Sequence, residues 1–398
     1  MTADAPSRRF ITRDDFLPFF KPDIGDAEID AVSEVLRSGW LTYGPKVREF
    51  GAACADYLAV EHAVPVASAT AGLFLGLKAL GVGPGDEVIL PSVTFVATLT
   101  AVLHCGARPV LVDIEPEYMG LDPQAFERAV TPRTRVVVPV HMAGHPCQVA
   151  DILDIAERHG IRVMEDAAHA FGTEFAGKRI GGFADLTVFS FYATKCITSG
   201  DGGLVTTNDA ELAARLQRLS FHGMDGNAWQ RYGDKGRWYY EIIEPGFKMH
   251  LGDPAAALGL VQLGRSDDFM ARRAEICRAY NEAFADLRGV RTPTEASWAR
   301  HAWHLYILRV DPAWIEEGRD GLIADLTENR LGSSVHFIPL HRHPAFADLA
   351  GEFGAQLPQT DLYYDQTVSL PLFPAMSDAD VADVITVVRG SLGSRLRS

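Results

Sequence analysis

A chain of 398 residues is longer than one hydrophobic core serves, so two domains, or three, are expected. Its composition, 47% hydrophobic and 22% charged, is that of a soluble globular protein, and no window approaches 18 uncharged apolar residues, which excludes a membrane span. A formal net charge of −15 without any long Lys/Arg cluster argues against a nucleic-acid partner.

Residues 1–17 contain no apolar signal segment and read as a flexible N-terminal tail, so a cytoplasmic location is expected. Residues 26–38 carry helical spacing of apolar positions; "GWLTYGPKV" (39–47) breaks it, and residues 47–59 resume it. Strands and helices then alternate: "HAVPVAS" strand, "TAGLFLGLKALG" helix, "DEVILPS" strand, "FVATLTAVLHCG" helix, "RPVLVDI" strand, "AFERAV" helix, "TRVVVPVH" strand, "QVADILDIAERHG" helix, then the strands "RVMEDAA" and "LTVFSFY". That order predicts an α/β domain whose sheet is mostly parallel and covered by helices on both faces. From about residue 265 the texture changes. A long amphipathic helix (266–287) leads to strand-like "HAWHLYILRV", a helix over 321–330, strand-like "SSVHFIPLH" (333–341) and a terminal helix near 378–392. This part reads as a smaller α+β domain. The five cysteines (Cys54, Cys105, Cys147, Cys196 and Cys277) are scattered, none at metal-ligand spacing, so reduced thiols and no metal site are expected.

The chain holds seven lysines against thirty arginines, and one of the seven, Lys195, sits in "FSFYATKCITSGDGG" (189–203). A lone lysine is usually a solvated surface residue. A lysine that must lose its proton and attack a carbonyl cannot be exchanged for arginine, whose guanidinium stays protonated. Ligands of open α/β sheets bind at the carboxyl ends of the strands, so the polar residues there decide between the two readings. After the first strand comes "SATAG" (68–72), small residues that open a helix and can cup a phosphate, although such residues often only cap. After the second comes Phe95, a core residue or a stacking platform. After "RVM" come Glu165, Asp166 and His169; two carboxylates there are costly to bury unless paired, and Asp166 can face a protonated heterocyclic nitrogen. After "LTVFSF" comes Lys195, with Ser190 upstream and glycines downstream. A phosphate cup, an aromatic platform, a carboxylate and a lysine at successive strand ends describe a site for pyridoxal 5′-phosphate (PLP).

With these residues in place, the chain resembles the nucleotide-sugar aminotransferases of the DegT/StrS family, PLP enzymes of fold type I, from about residue 18 to residue 390. The matching stretches include "GWLTYGP", "VASATAGLFLGLKALGVGPGDEVILPSVTFVATL", "PVHMAGHP", "VMEDAAHAFGTEF", "FSFYATKCITSGDGG", "FHGM", "HAWHLYILRV" and "VHFIPLH". The resemblance implies a large three-layer PLP-binding domain over residues 18–265 and a small C-terminal domain over 266–398. It implies that Lys195 carries the cofactor as a Schiff base, Asp166 pairs with the pyridine nitrogen, His169 lies near the ring hydroxyl, and Phe95 stacks on the ring. Thr70, Ala71 and Ser190 would bind the phosphate. Thr42, His222 and His336 fall in matching stretches and are candidates for substrate contact. The family is dimeric, each site being completed by the partner around residues 246–253. There this sequence departs: Lys248, Met249 and His250 stand where the family usually shows Asn or Arg, which leaves open which residue of the partner completes the site; His250 is the candidate there for a cofactor contact. Tyr192 replaces a frequent His, and Asp201 a frequent Glu.

The implied reaction moves an amino group from L-glutamate, through pyridoxamine phosphate, to C4 of a nucleotide-linked 4-keto-6-deoxy sugar. The nucleotide is expected to be dTDP and the product an amino sugar of a bacterial antibiotic or surface glycan. The apolar "FSFY" and "VHFIP" stretches would either line a site for the sugar methyl or belong to the core. A UDP-linked 4-keto pentose or a 3-keto sugar is the alternative acceptor. A sister branch that dehydrates sugars carries His in place of the lysine, which Lys195 speaks against. A non-catalytic regulator on the same fold is the remaining alternative, because a Rossmann dehydrogenase would need a G-x-G-x-x-G after the first strand.

Overall fold

Apolar runs such as Val88-Ile89-Leu90 and Val136-Val137-Val138 have no polar face, and strands of that kind are stable only between two layers of helix. The structure, a computed structural model, describes residues 8–224 and 239–397. Two helices, α1 (Asp26–Ser38) and α2 (Pro45–Leu58), lead into β1 (His62–Val66). The alternation that follows is α3 (Ala69–Ala79), β2 (Glu87–Pro91), α4 (Val96–His104), β3 (Arg108–Val112), α5 (Pro123–Ala129), β4 (Thr134–Val137), α6 (Val149–His159) and β5 (Arg162–Asp166). A short ribbon, β6 (Glu174–Phe175) and β7 (Lys178–Arg179), precedes β8 (Leu186–Ser190), β9 (Gly203–Thr207), α7 (Ala210–Ser220) and α8 (Asp253–Gly264). Seven of these strands form one sheet in the order β1-β9-β8-β5-β4-β2-β3. Its pairings from β8 through β5, β4 and β2 to β3 are parallel. β9 alone runs antiparallel, between β8 and β1.

The second part begins with α9 (Ser266–Phe284), followed by β10 (Val290–Arg291), β11 (Ala299–Arg300), β12 (Tyr306–Val310), α10 (Gly318–Glu328), α11 (Ala347–Phe353), α12 (Pro358–Gln366), β13 (Thr367–Leu370) and α13 (Asp378–Ser394). β10, β12 and β13 make a small antiparallel sheet. Residues 333–341, expected as a strand, make only a bridge from Ser334 to Ser369 and then run irregularly. Pro339 has no N–H to give a ladder, and His336 and Phe337 of this stretch line a cavity instead.

Two hydrophobic cores result. One surrounds the seven-stranded sheet and also takes in Leu340, Phe353 and Leu357 from the second part. The other gathers Tyr280, Phe284, Tyr306, Leu308 and Val384 around the small sheet. α9 serves both, with Phe269 in the first core and Ile276 in the second. Its Arg273 is fully buried and donates to the carbonyls of Trp303, His304 and Leu372.

The N-terminal stretch corrects one expectation. Residues 1–7 lie outside the described residues, but residues 8–17 are not frayed. The amide of Arg8 donates to Asp325 Oδ1 at 2.9 Å, those of Phe10 and Ile11 donate to Asn329 Oδ1, and Leu17 pairs with Leu331. Ordering this segment is offset by burying Leu17 in the second core and by satisfying its backbone donors. Among the described residues no helix is long and apolar enough to cross a membrane.

Asp253, at the start of α8, reaches across to the opening of α2. Its carboxylate accepts from the amides of Gly44 (2.6 Å), Lys46 (3.2 Å) and Val47 (3.4 Å) and is buried. These are helix-opening donors with no partner inside their own helix. Asp253→Ala is expected to cost about 1–3 kcal/mol of unfolding free energy in urea titrations, and Asp253→Asn, which keeps one acceptor oxygen, less. Equal stability of Asp253→Ala and the parent chain would show that the contact contributes nothing.

Candidate active site

The strand ends that feed the site carry its polar residues: Ser68 follows β1, Thr94 follows β2, Asp166 ends β5 and Ser190 ends β8. Beyond β1, Ser68 caps α3, its Oγ accepting from the Ala71 amide at 3.1 Å. β9 passes so close to this turn that a Cβ on Gly203 would lie 2.5 Å from the Ser68 carbonyl carbon and 2.6 Å from the Ala69 nitrogen. Gly203 is therefore needed where a neighbouring strand and the cup share one space.

A cavity of about 520 Å³ opens at these ends. Thr70, Phe95, Asp166, His169, Ser190, Lys195 and His336 all line it, which brings seven of the expected site residues together. Ala71 lies buried behind Thr70, with its amide engaged by Ser68. Thr42, His222 and His250 do not line the cavity of their own chain. They gather at the 246–251 stretch, where Thr42 Oγ1 and His250 Nε2 are 3.0 Å apart and the His250 ring packs edge-on against Phe221 and Tyr43. Walls that sequence reasoning did not assign come from Phe19, Phe20, Thr94 and His304, while Phe337 of the "VHFIP" stretch lines the cavity, one of the two places expected for it.

Asp166 ends β5 with 4% of its surface exposed. Its Oδ1 accepts from the Ala168 amide at 3.1 Å and its Oδ2 from the Thr98 hydroxyl at 2.8 Å. Burial pushes its pKa up, while these two hydrogen bonds and the charges of Lys195 and His141 oppose the rise. Glu165 faces the other side of the strand, where it accepts from Thr187 at 2.6 Å and lies 3.5 Å from His141. Only one of the two carboxylates therefore belongs to the cavity.

Burial brings the Lys195 ammonium down to a pKa of about 8, against the pull of Asp166. The surrounding imidazoles add no positive charge at neutral pH. Burial holds His169 and His304 well below their usual value, with ring centres 4.4 Å apart. His336, whose Nδ1 lies 2.8 Å from Ser369 Oγ, is held at about 4 by burial and by Lys195. Phe95 is 56% exposed, an aromatic ring at the cavity wall rather than in the core, with Phe337 5.9 Å away.

This donor set fits PLP. Backbone amides and hydroxyls at the α3 terminus suit a phosphate, Phe95 offers a flat face, Asp166 an acceptor, and Lys195 an amine that is partly free of its proton near neutral pH. The buried Nδ1 of His169 has no partner among the described residues, as a group that meets a ligand would. No cluster of three or more His, Cys, Asp or Glu able to hold a metal ion occurs among the described residues. All five cysteines are buried and unpaired, and Cys196, beside Lys195, has its thiol pKa raised by burial.

A mostly parallel sheet with helices on both faces and a lysine and a carboxylate at the ends of adjacent strands defines a fold-type-I PLP-dependent aminotransferase. The chain belongs to the DegT/DnrJ/EryC1/StrS aminotransferase family, whose model matches residues 22–389. It is 49% identical over 378 residues to the spore coat polysaccharide biosynthesis protein SpsC of Bacillus subtilis, covering 95% of this chain and 97% of that one. A Streptococcus pneumoniae protein assigned as a sugar aminotransferase, solved in PLP and PMP forms, superposes with a TM-score of 0.89 at 34% identity for the PMP form, over 95% of this chain and 99% of that one. Helicobacter pylori PseC, an aminotransferase involved in the biosynthesis of pseudoaminic acid, gives 0.87 at 28% identity, over 95% and 100%.

The loop beneath the cavity makes one position sensitive. Ala143 and Gly144 are both left-handed (φ 59° and 97°), and their carbonyls accept from Leu305 and Ala302 of the "HAWHL" stretch. A Cβ on Gly144 would lie 2.8 Å from the His169 carbonyl oxygen and 3.2 Å from the His304 amide. Gly144→Ala is expected to lose at least about 1–2 kcal/mol of stability and to weaken PLP binding measured by equilibrium dialysis. Gly160→Ala, at φ 66° with open space around its Cβ, is the control, and it should lose stability without losing PLP affinity. Unchanged PLP affinity in Gly144→Ala would refute the coupling of this loop to the site.

Proposed function

We propose that this chain transfers an amino group from L-glutamate to C4 of a nucleotide-linked 4-keto-6-deoxy sugar, with dTDP as the nucleotide, in the synthesis of a bacterial surface glycan. The observation that carries the transaminase part is Lys195, an amine with a pKa of about 8 sharing one cavity with the buried Asp166 carboxylate. Bound PLP supplies an aldehyde that condenses with amines and a ring that takes up the electron pair of a C–H bond broken beside it. Lys195 takes that proton from carbon as a base and returns it to the neighbouring position as an acid, which a guanidinium cannot do. Asp166 would keep a proton on the ring nitrogen, and the amides of α3 with Thr70 and Ser190 would hold the phosphate. The amino nitrogen leaves glutamate as 2-oxoglutarate is formed and ends on the sugar carbon that carried the ketone oxygen, so no outside oxidant or reductant is needed.

The acceptor reading rests on the walls. Phe19, Leu305, Phe337 and Leu372 give the cavity an apolar side that suits a methyl at C5. Within "FSFY", Phe189 and Phe191 are fully buried and belong to the core, while Tyr192 lines the cavity. The relative named for spore coat polysaccharide biosynthesis favours a surface glycan over an antibiotic. A homodimer is supported by the exposed Trp40 and Leu41 and by exposed apolar residues within 239–243, which lie near the Thr42–His250 pair in sequence or space. In this reading the partner's 246–253 stretch brings His250 to the site.

Two experiments test the proposal. Lys195→Ala should be inactive and lack the borohydride-reducible cofactor absorbance, and His250→Ala should be strongly impaired. Mixed and allowed to exchange subunits, the two should recover about one quarter of parental activity, because one site of each mixed dimer is intact. No recovery would argue against a shared site. For the acceptor, a missing methyl is worth about 1–3 kcal/mol in an apolar pocket, so kcat/KM should favour the dTDP 4-keto-6-deoxy sugar over a UDP 4-keto pentose by roughly ten- to two-hundredfold. A preference for the pentose, or product aminated at C3, would overturn the acceptor and leave the aminotransferase intact.

A further inference from the structure

α4 is mostly apolar, yet a hydroxyl pair, one just before the helix and one in its first turn, stands behind Asp166. Thr94 precedes the helix and Thr98 lies one turn on, so both hydroxyls fall on one side. Both are buried, at 2% and 1% exposure. Thr98 Oγ1 is 2.8 Å from Asp166 Oδ2 and 2.8 Å from Thr94 Oγ1, and Thr94 lines the cavity. A carboxylate only accepts, and a threonine has one hydroxyl proton. Thr98 must spend that proton on Asp166, so at the other contact Thr94 is the donor. The chain then runs one way, from Thr94 to Thr98 to Asp166, and leaves Thr94 with lone pairs alone toward the cavity. Only a proton carried on Asp166 Oδ2 and given to Thr98 would let the links reverse and make Thr94 a donor to the cavity.

We propose that Thr98, backed by Thr94, is a positioning residue that keeps Asp166 an oriented carboxylate, one oxygen fixed by the Ala168 amide and the other by the hydroxyl relay, with its remaining lone pairs turned to the cavity. The inference rests on the reading that Asp166 faces the ring nitrogen of PLP. Burial works against the charged form of Asp166. The ionisable groups that face it are Lys195 across the cavity and His141 beyond β4, and Thr98 supplies the hydrogen bond that holds the charge in place.

The test uses the PLP-loaded enzyme and three readouts: kcat and KM for glutamate taken separately, PLP affinity, and the pH titration of the visible absorbance of the lysine-bound cofactor. Thr98→Val should lower kcat by about ten- to a hundredfold, the equivalent of one hydrogen bond to a charged group. KM should change little, and the titration midpoint should move. Thr98→Ser, which keeps the hydroxyl, should restore both. Thr94→Val, which removes only the outer donor, should move both in the same direction by less, and it keeps the proposal testable if Thr98→Val does not fold. In an Asp166→Asn background Thr98→Val should add nothing. Parental kcat and titration in Thr98→Val, equal damage in Thr98→Ser, or additive losses in the double variant would each overturn the proposal while a strongly impaired Asp166→Asn left the role of Asp166 standing. Near-normal turnover in Asp166→Asn itself would overturn both.

Discussion

A carboxylate placed where water hardly reaches it must be given other partners, and Asp166 draws them from several directions. A backbone amide comes from the turn after its own strand, a hydroxyl from α4, and a positive charge from Lys195 at the end of the next strand. Each partner is itself constrained. Lys195 lies in the connection by which β9 returns beside β8, Gly203 lets β9 pass the Ser68 cup, and Ser68 caps the start of α3. The site is thus a consequence of how the one antiparallel strand is threaded into an otherwise parallel sheet. Burial acts in opposite directions on the two central groups. It raises the carboxyl and lowers the amine, while their mutual attraction resists both shifts, so a modest change in surroundings alters how much free amine is present at neutral pH.

The second half of the molecule matters because it closes this chemistry from above. His304, His336 and Phe337 reach the cavity from segments that are irregular by necessity. A strand would have pointed alternate residues away, whereas an uneven course turns two consecutive side chains, His336 and Phe337, to the same opening. The segment that carries His304 is not loose. Buried Arg273 donates to its Trp303 and His304 carbonyls and to that of Leu372, and the left-handed turn at Ala143 and Gly144 accepts from its Leu305 and Ala302 amides.

Much of this was readable in the chain itself. The strands from β1 to β5 announce themselves as apolar runs between helices, and Lys195 stands out because the chain uses arginine almost everywhere else. β9 escaped notice because "GLVTT" follows a string of small residues and is too short to show a period. The stretch at 333–341 looked like a strand because its alternation is real, although the side chains serve a cavity rather than a sheet. Thr98 was hidden because a threonine in a mostly apolar helix looks like a tolerated polar residue; only its spacing of four from Thr94 hinted at a shared face. Thr42, His222 and His250 came to attention through family resemblance alone. The structure gathers them into one group, and no pattern in a single chain could say that the group faces away from that chain's own cavity.

The N-terminal segment has a further consequence for how the protein comes into being. Phe19 and Leu372 line the same cavity, and the amide of Leu372 donates to the carbonyl of Phe19. The first described residues are also tied to Asp325, Asn329 and Leu331. A ribosome releases the opening of the chain long before these partners exist. The sheet domain can therefore collapse with Lys195 already in place while one wall of its cavity is still untranslated. An enclosed pocket, and with it firm retention of a small molecule, becomes available only when the last stretch of the chain has emerged and folded back over the beginning.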